Sequence, residues 1–444
     1  MNTNRRFTNK QIFVIFIPLL FEQLLSFLVG IADTAMVSSA GEAAVSAVSL
    51  SDSINILMNF LISAMSAGGA IVYAQSIGRN DEDYAKKAIS QLLLTVTVVC
   101  VFFSFVLFSG KNIILNALYS KTEADVMQNC KTYFGITTLS YPFIGIFSAL
   151  SALNRSKGNS SVGLKVSIIM NIVNVSGNAL CIFVLKMGVA GVAIPTLVSR
   201  ITSAGIMLAL SLKKDAFLPI SKNIKSYRFN KEISMSILKI GIPAGVENSL
   251  FQLARIGLSS LVSGLGTASV AAWAVVGHIA VLQYIPSTCA GMTLMTVAGQ
   301  CFGAKEYDQI KYYISKILKI TYALLIVTII FLALFAGNVA DLFNLTPEAK
   351  IMAVVMMYMS CFGVLLHPVA FPTAHALRAL SDVKYTMVVS VLSVWIFRLG
   401  LAYVMVYFTP LGVYGAWGTQ FADWLCRAVF LTGRIRKHYK KWGV

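Results

Sequence analysis

Apolar residues gather into twelve long runs along the chain, at 11–37, 44–76, 88–109, 131–153, 161–186, 189–212, 235–263, 268–300, 313–336, 350–378, 385–408 and 411–433. A helix needs about 20 predominantly apolar residues to cross a bilayer, and every run meets that length. The connections are short. The pattern predicts an all-α polytopic membrane protein of twelve transmembrane helices with no large soluble domain.

Charge placement orients these helices. Even-numbered connections carry Arg79, Lys86 and Lys87; Arg155, Lys157 and Lys165; Lys213, Lys214, Lys222, Lys225, Arg228 and Lys231; Lys305 and Lys311; and Arg378 and Lys384. The C-terminal tail adds Arg434, Arg436, Lys437, Lys440 and Lys441, whereas odd-numbered connections hold only Lys111, Lys121, Lys131, Lys186 and Lys350. Lys and Arg accumulate in cytoplasmic loops, so both termini are expected in the cytoplasm, and a bacterial cell membrane is the expected location. Composition agrees: 57% of residues are hydrophobic and 12% charged, against roughly 25% charged in soluble domains. The net charge of +18 follows mostly from this asymmetry and calls for no nucleic acid; the expected partners are lipid and small organic substrates. The first apolar run follows Arg5, Arg6 and Lys10 as a signal peptide would, yet it is too long and contains Glu22 and Asp33, so it reads as the first membrane helix. Seven cysteines with no CxxC spacing read as apolar packing residues.

The basic stretch 213–234 divides the chain into an N-terminal lobe (1–212) and a C-terminal lobe (235–433), with a basic tail at 434–444. Sliding the second half by 225 positions superposes Pro18 on Pro243, Glu22 on Glu247, Gly41 on Gly266, and Gln75-Ser76-Ile77-Gly78 on Gln300-Cys301-Phe302-Gly303. Gly188-Val189-Ala190-Gly191 matches Gly412-Val413-Tyr414-Gly415 at an offset of 224. Six helices per half make the repeats parallel, related by a pseudo-two-fold axis along the membrane normal, which is a transporter architecture.

Five acids lie inside apolar runs: Glu22, Asp33, Asp52, Glu247 and Asp423. A carboxylate at the bilayer centre costs about 2.5–3.5 kcal/mol on insertion scales and marks a functional site by default. Glu22 and Asp33 are three helical turns apart and share a face. Asp33 is the foremost candidate for proton or Na⁺ coupling. Glu22 and Glu247 suit either coupling or stabilisation of a proline kink, and Asp52 and Asp423 suit structural roles. Arg200, Arg255 and Arg398 also lie in apolar runs and need a carboxylate, carbonyls or an interface; Arg200 and Asp423, near-equivalent in the two halves, are candidates to pair. His278 and His367 are intramembrane histidines. Asp81-Glu82-Asp83 reads as a helix cap rather than a metal motif. No Walker A, HExxH or dinucleotide-binding glycine pattern is present, so no enzyme activity and no cofactor are expected, and an ion gradient would have to supply the driving force.

These residues resemble the MATE (multidrug and toxic compound extrusion) family of the MOP flippase superfamily. The resemblance covers nearly the whole chain and rests on Pro18 with Ile31-Ala32-Asp33-Thr34, on the paired Gln75 and Gln300 segments, on Leu377-Arg378-Ala379-Leu380-Ser381-Asp382, and on Gly188-Val189-Ala190-Gly191-Val192-Ala193. It implies two six-helix bundles in a V, exporting cationic or amphipathic compounds in exchange for H⁺ or Na⁺, as a monomer. It implies that Asp33 is the N-lobe coupling aspartate. Where DinF-type members carry a second aspartate, this chain has Asn178, four residues after Asn174; an amide can ligate Na⁺ with Asp33 but cannot take a proton. Where NorM-type members carry a C-lobe glutamate and aspartate, this chain has Phe251 and His367, with Glu247 one turn away as a substitute. Phe251, Arg255, His278, Glu247 and His367 are therefore the C-lobe cavity candidates. A lipid-linked oligosaccharide flippase of the same superfamily is the alternative, kept open by the intramembrane arginines. A lipid-modifying membrane enzyme is a more distant one.

Overall fold

A computed structural model describes residues 5–120, 122–213, 216–220 and 227–444; Lys121, Lys214, Lys222 and Lys225 lie outside the described residues. Among these the chain is helical, with no strand. Twelve helical segments follow in order: α1 (Asn9–Ser38), α2 (Glu42–Gly78), α3 (Glu82–Leu118), α4 (Ala124–Thr138 and Tyr141–Ser156), α5 (Ser161–Val184), α6 (Ala190–Ser211), α7 (Lys231–Ser263), α8 (Thr267–Gly303), α9 (Tyr307–Asp341), α10 (Pro347–Ala379), α11 (Val383–Phe408) and α12 (Gly412–Trp442). Nine of the described helices are long and apolar enough to cross a membrane, and ten when the two halves of α4, bent by 44°, count as one span. The other two, α7 and α12, are as long but carry Glu247 with Arg255 and Asp423 with Arg427 in their middles.

Local chemistry sets the helix ends. Asp81 caps α3, its side chain accepting from the Tyr84 N–H at 2.9 Å, which is the capping role expected of this acidic triplet. Thr346 caps α10 through the Ala349 N–H, with Pro347 in the first turn. Prolines also place the internal breaks. Pro142 opens the second half of α4, and Pro368 follows the short 3₁₀ turn Val364–Leu366 within α10. A proline lacks the N–H that the preceding turn needs. Two helices contain a wide π-turn, Leu180–Val184 at the end of α5 and Val394–Gly400 inside α11.

The chain divides into two compact units, Asn9–Gly245 and Val246–Val444, the latter joined by residues 5–8. In the N-terminal unit α2 packs on α3 and on both halves of α4, α4 also packs on α6, and α5 packs on α1 and α6. In the C-terminal unit α8 packs on α9 and α10, α10 on α12, and α11 on α12. The second part of α7 meets α11 through Leu258, Leu261, Leu399 and Ala402. The same partnerships thus recur one repeat apart. So do the left-handed backbone positions: Gly41 and Gly266, Asn80 and Lys305, Gly158 and Ser381, Gly188 and Gly412. The internal repeat read from the sequence is a repeat of packing and of turn geometry.

Within the N-terminal unit α2 and the start of α7 approach backbone to backbone at Gly68 and Gly241. A Cβ on Gly68 would lie 2.8 Å from the Ile237 carbonyl oxygen and 2.9 Å from the Gly241 nitrogen. Small residues permit such approach where apolar burial gives helices no net attraction in lipid. At one end of the C-terminal unit the Leu377–Asp382 motif forms a clamp. Ser381 takes the left-handed conformation, and Asp382 accepts from Arg434 Nε at 2.6 Å and Nη2 at 3.3 Å. His438 Nε2 lies 2.9 Å from the same carboxylate.

Two outcomes follow for purified protein in detergent. Gly68→Ala should destabilise by about 1–3 kcal/mol, the cost of overpacking, while Gly30→Ala, where a Cβ meets nothing within 4 Å, should change little; thermal unfolding compares them. Burial opposes ionisation of Asp382, but the hydrogen bonds from Arg434 and His438 outweigh it and hold the carboxyl below its usual range. A depressed carboxyl stabilises the fold above the unfolded value of about 3.9 and loses that contribution as pH falls through the lower folded value. Asp382→Asn should therefore melt earlier than wild type at neutral pH, with the gap closing below about pH 3.9.

Candidate functional site

In the N-terminal unit α1 brings Asp33 against α5. Asn174 and Asn178, four residues apart, present both amides on one face of α5. Asn178 Nδ2 donates to Asp33 Oδ1 at 2.9 Å. With the Asn174 amide turned so that its nitrogen faces the carboxylate, that nitrogen lies 3.0 and 3.3 Å from the two Asp33 oxygens, and its oxygen accepts from Thr196 Oγ1 of α6 at 3.2 Å. Among the described residues Asp33 has no ion-pair partner. The buried Asn178 Oδ1 has no hydrogen-bond partner. The carboxylate is therefore held by neutral donors alone, beside an unpaired carbonyl oxygen.

Glu22, on the same face of α1, turns to the other end of α5. Its Oε2 is buried near Gly163 and lacks a hydrogen bond, with Arg155 within electrostatic reach. Asp52 of α2, within electrostatic reach of Asp33, belongs to a neighbouring network: it accepts from Asn55 Nδ2 at 2.9 Å and from the Tyr133 hydroxyl at 3.2 Å. The Tyr141 hydroxyl donates to Asn55 Oδ1 at 2.6 Å. Arg200 donates to Ser140 Oγ at 2.7 Å, at the break in α4; the carboxylate within its electrostatic reach is Asp52, while Asp423 is held by Arg427.

The C-terminal unit has the opposite character. Arg378 Nη2 donates to Glu247 Oε1 at 2.7 Å, and Arg427 Nη1 stands 4.0 Å from the same oxygen. Arg427 Nε donates to Asp423 Oδ1 at 2.8 Å and its Nη2 to the Ser390 carbonyl at 3.1 Å. Ser393 Oγ also donates to Asp423 Oδ1, at 2.6 Å. Arg398 Nη1 lies 3.8 Å from Asp423 Oδ2. Phe251 lies under two guanidiniums, with Arg398 5.1 Å and Arg427 5.9 Å from its ring centre. His367, at the break in α10, is stacked between Tyr284 and Phe371 at 4.6 and 4.2 Å, with Trp424 edge-on at 5.1 Å. Glu247 is thus occupied by an arginine, and Phe251 and His367 belong to an aromatic and guanidinium lattice. Arg255 and His278 are exposed on α7 and α8.

Sequence reasoning passed over Arg427, and took Arg378 as a loop charge and part of a family motif without naming a partner for it. The first left a readable trace, because Asp423 and Arg427 are four residues apart on one helix face. The second did not, since Glu247 and Arg378 are 131 residues apart and only the fold joins them.

The MatE family model matches residues 18–180 and 243–404, two stretches that start 225 residues apart, as the repeat does. The chain is 24% identical over 443 residues to the probable multidrug resistance protein NorM of Thermotoga maritima, covering 96% of this chain and 93% of that protein. It is 24% identical over 392 residues to the probable multidrug resistance protein YoeA of Bacillus subtilis, covering 87% and 84%. An outward-facing multidrug resistance MATE transporter of the MOP superfamily superposes with a TM-score of 0.91 at 20% identity, over 97% of this chain and 96% of that one. A MOP superfamily transporter from Pyrococcus furiosus, described as having a binding pocket of reversed polarity, superposes at 0.90 and 20% identity, over 97% and 96%. These solved structures share the two-lobed twelve-helix fold.

Removing one partner of a buried ion pair costs about 3–5 kcal/mol, because the other charge stays uncompensated. Arg427→Met should therefore destabilise by about that amount in thermal or denaturant unfolding. Lys86→Ala, which breaks an exposed pair with Glu82, should shift stability by under about 1 kcal/mol.

Proposed function

Since the chain belongs to the MatE family, we propose that the protein is a cation-coupled exporter of amphipathic, chiefly cationic compounds. It works by alternating access as a monomer in a bacterial cell membrane, with both termini cytoplasmic. The names of its relatives, multidrug resistance proteins among them, support export of varied compounds. The basic connections and tail support the topology. The observation that carries the coupling reading is Asp33, bound by two amides and by no cation, next to the unpartnered Asn178 oxygen.

The physical argument is one of competition. A carboxylate whose hydrogen-bond donors are neutral has one uncompensated negative charge, which either an incoming cation or a cationic substrate can neutralise, but not both at once. Protonation or Na⁺ binding at Asp33 removes that charge and rearranges the hydrogen bonds joining α1 to α5 and, through Asn174 and Thr196, to α6. The helices that close on the loaded site are then not those that favour the empty one, and a ligand shifts an equilibrium only by its differential affinity for the two states. Oxygen donors from Asp33 and Asn178 suit a hard cation; Asp33 alone suits a proton. The membrane potential contributes about 2.3 kcal/mol per charge per 100 mV, so the number of cations exchanged per substrate decides the driving force.

Ethidium efflux from reconstituted vesicles tests this. With a proton or a sodium gradient imposed in turn, wild type should respond to one of them. Asp33→Asn should lose gradient-driven transport, and Asn178→Ala should weaken it by about tenfold, the scale of a lost hydrogen bond to a charged group. Transport by Asp33→Asn at the wild-type rate under both gradients would sink the assignment.

A further inference from the structure

The charges of the C-terminal network do not balance. Arg378 and Arg427 each hold a carboxylate at hydrogen-bond distance, Glu247 at 2.7 Å and Asp423 at 2.8 Å. Arg398 does not: its nearest carboxylate oxygen is 3.8 Å away, and its Nη2 reaches only the neutral Gln420 Oε1, at 3.4 Å. Three guanidiniums against two carboxylates leave one positive charge in surplus, inside a segment that sits at membrane depth. Arg255 on α7 adds another within electrostatic reach of Tyr284.

The neutral groups around Arg398 are lopsided in the same sense. Gln420 spends its oxygen on Arg398 and on the Tyr284 hydroxyl, 3.3 Å away. That leaves Gln420 Nε2 without an acceptor; Trp424 Nε1 and Arg398 Nε lack one too, and all three atoms are buried. Gln420 and Trp424 are 3% and 1% exposed, so bulk water does not substitute. Tyr284 ties the group together, bonded to Gln420 and packed edge-on against the Trp424 ring at 5.5 Å. A buried donor left unmade costs as much as a lost hydrogen bond, and an uncompensated buried charge costs more. Two carboxylate oxygens of the network, Asp423 Oδ2 and Glu247 Oε2, also lack a hydrogen bond. Both belong to carboxylates already paired with Arg427 and Arg378, so the surplus stays positive and a further anionic acceptor would balance it. A carboxylate is acceptor-only and meets a guanidinium with two parallel bonds. The partly buried rings of Phe251 and Tyr284 offer apolar surface beside it. A cation is repelled by the same surplus.

We infer that Arg398, with Gln420 and Trp424, forms an oxyanion-binding point in the C-terminal unit that takes the carboxylate of an amphipathic substrate. This goes beyond the coupling assigned to Asp33 and stands apart from it, because equilibrium binding needs no gradient.

Calorimetric titration of the full-length protein in phosphatidylcholine nanodiscs tests it, with empty nanodiscs subtracted. The probes are octanoate and octyltrimethylammonium, matched in chain length and opposite in charge. Wild type should bind octanoate saturably, whereas binding of the ammonium compound, which the Asp33 carboxylate attracts, should not be weakened by Arg398→Gln. Arg398→Gln should weaken octanoate binding by about 10–100-fold, and Arg398→Lys, which keeps the charge, should recover part of it. Should Arg398→Gln fail to fold, Arg398→Lys and Gln420→Ala carry the comparison: a weaker octanoate affinity in both supports the site. Inorganic phosphate and nanodiscs containing phosphatidylglycerol separate the sources of the oxyanion. Weak competition from both leaves the substrate carboxylate as occupant, whereas strong competition from either hands the site to free phosphate or to a lipid headgroup and overturns the substrate assignment. Octanoate binding unchanged by Arg398→Gln, or both probes weakened alike by it, overturns the site altogether.

Discussion

A charge carried into an apolar helix bundle must be compensated by its neighbours, because neither lipid nor packed side chains will do it. That constraint organises both units, with opposite results. In the N-terminal unit Asp33 is met by the amides of Asn174 and Asn178, which accommodate a negative charge without cancelling it. In the C-terminal unit Glu247 and Asp423 are cancelled outright by Arg378 and Arg427. An amide-lined carboxylate can still be titrated or neutralised by an incoming cation, whereas an arginine-paired one has already been. The difference between the two halves follows from which donors the chain supplies.

The scaffold on which these donors sit is duplicated, but the chemistry is not. Helix partnerships, proline breaks and left-handed turns recur at nearly constant spacing. The polar residues do not: the position 225 residues after Asp33 is occupied by Leu258, a buried apolar side chain between α7 and α11. Packing positions tolerate only residues of similar shape, so they keep the memory of the repeat. Polar positions are not held by shape in this way, and those have diverged.

This explains which features were legible in the sequence. Helix number, repeat and family are written in periodicity, glycine and proline placement, and segment order, all of which are local. Asp33 with Asn174 and Asn178 was legible because two of the three lie one turn apart on a single helix and the third matched a family position. The Asp423–Arg427 half of the C-terminal network was equally local and open to the same reasoning. Glu247 with Arg378, and Asp52 with Tyr133, join residues 131 and 81 positions apart. Nothing in a one-dimensional pattern says that such residues meet, so Arg378 looked like a loop charge and Asp52 was given a structural role with no partner named.

The two π-turns lie beside polar groups of each unit. Leu180–Val184 begins two residues after Asn178, and Val394–Gly400 contains Arg398. A wide turn holds one residue more than its neighbours and behaves like a dislocation in a crystal: it advances by exchanging single hydrogen bonds, without unwinding the rod around it. Each residue it passes is rotated by about 100° about the helix axis. A small axial slip of this defect re-aims a side chain from one wall to another, while the helix keeps its length and its place in the membrane.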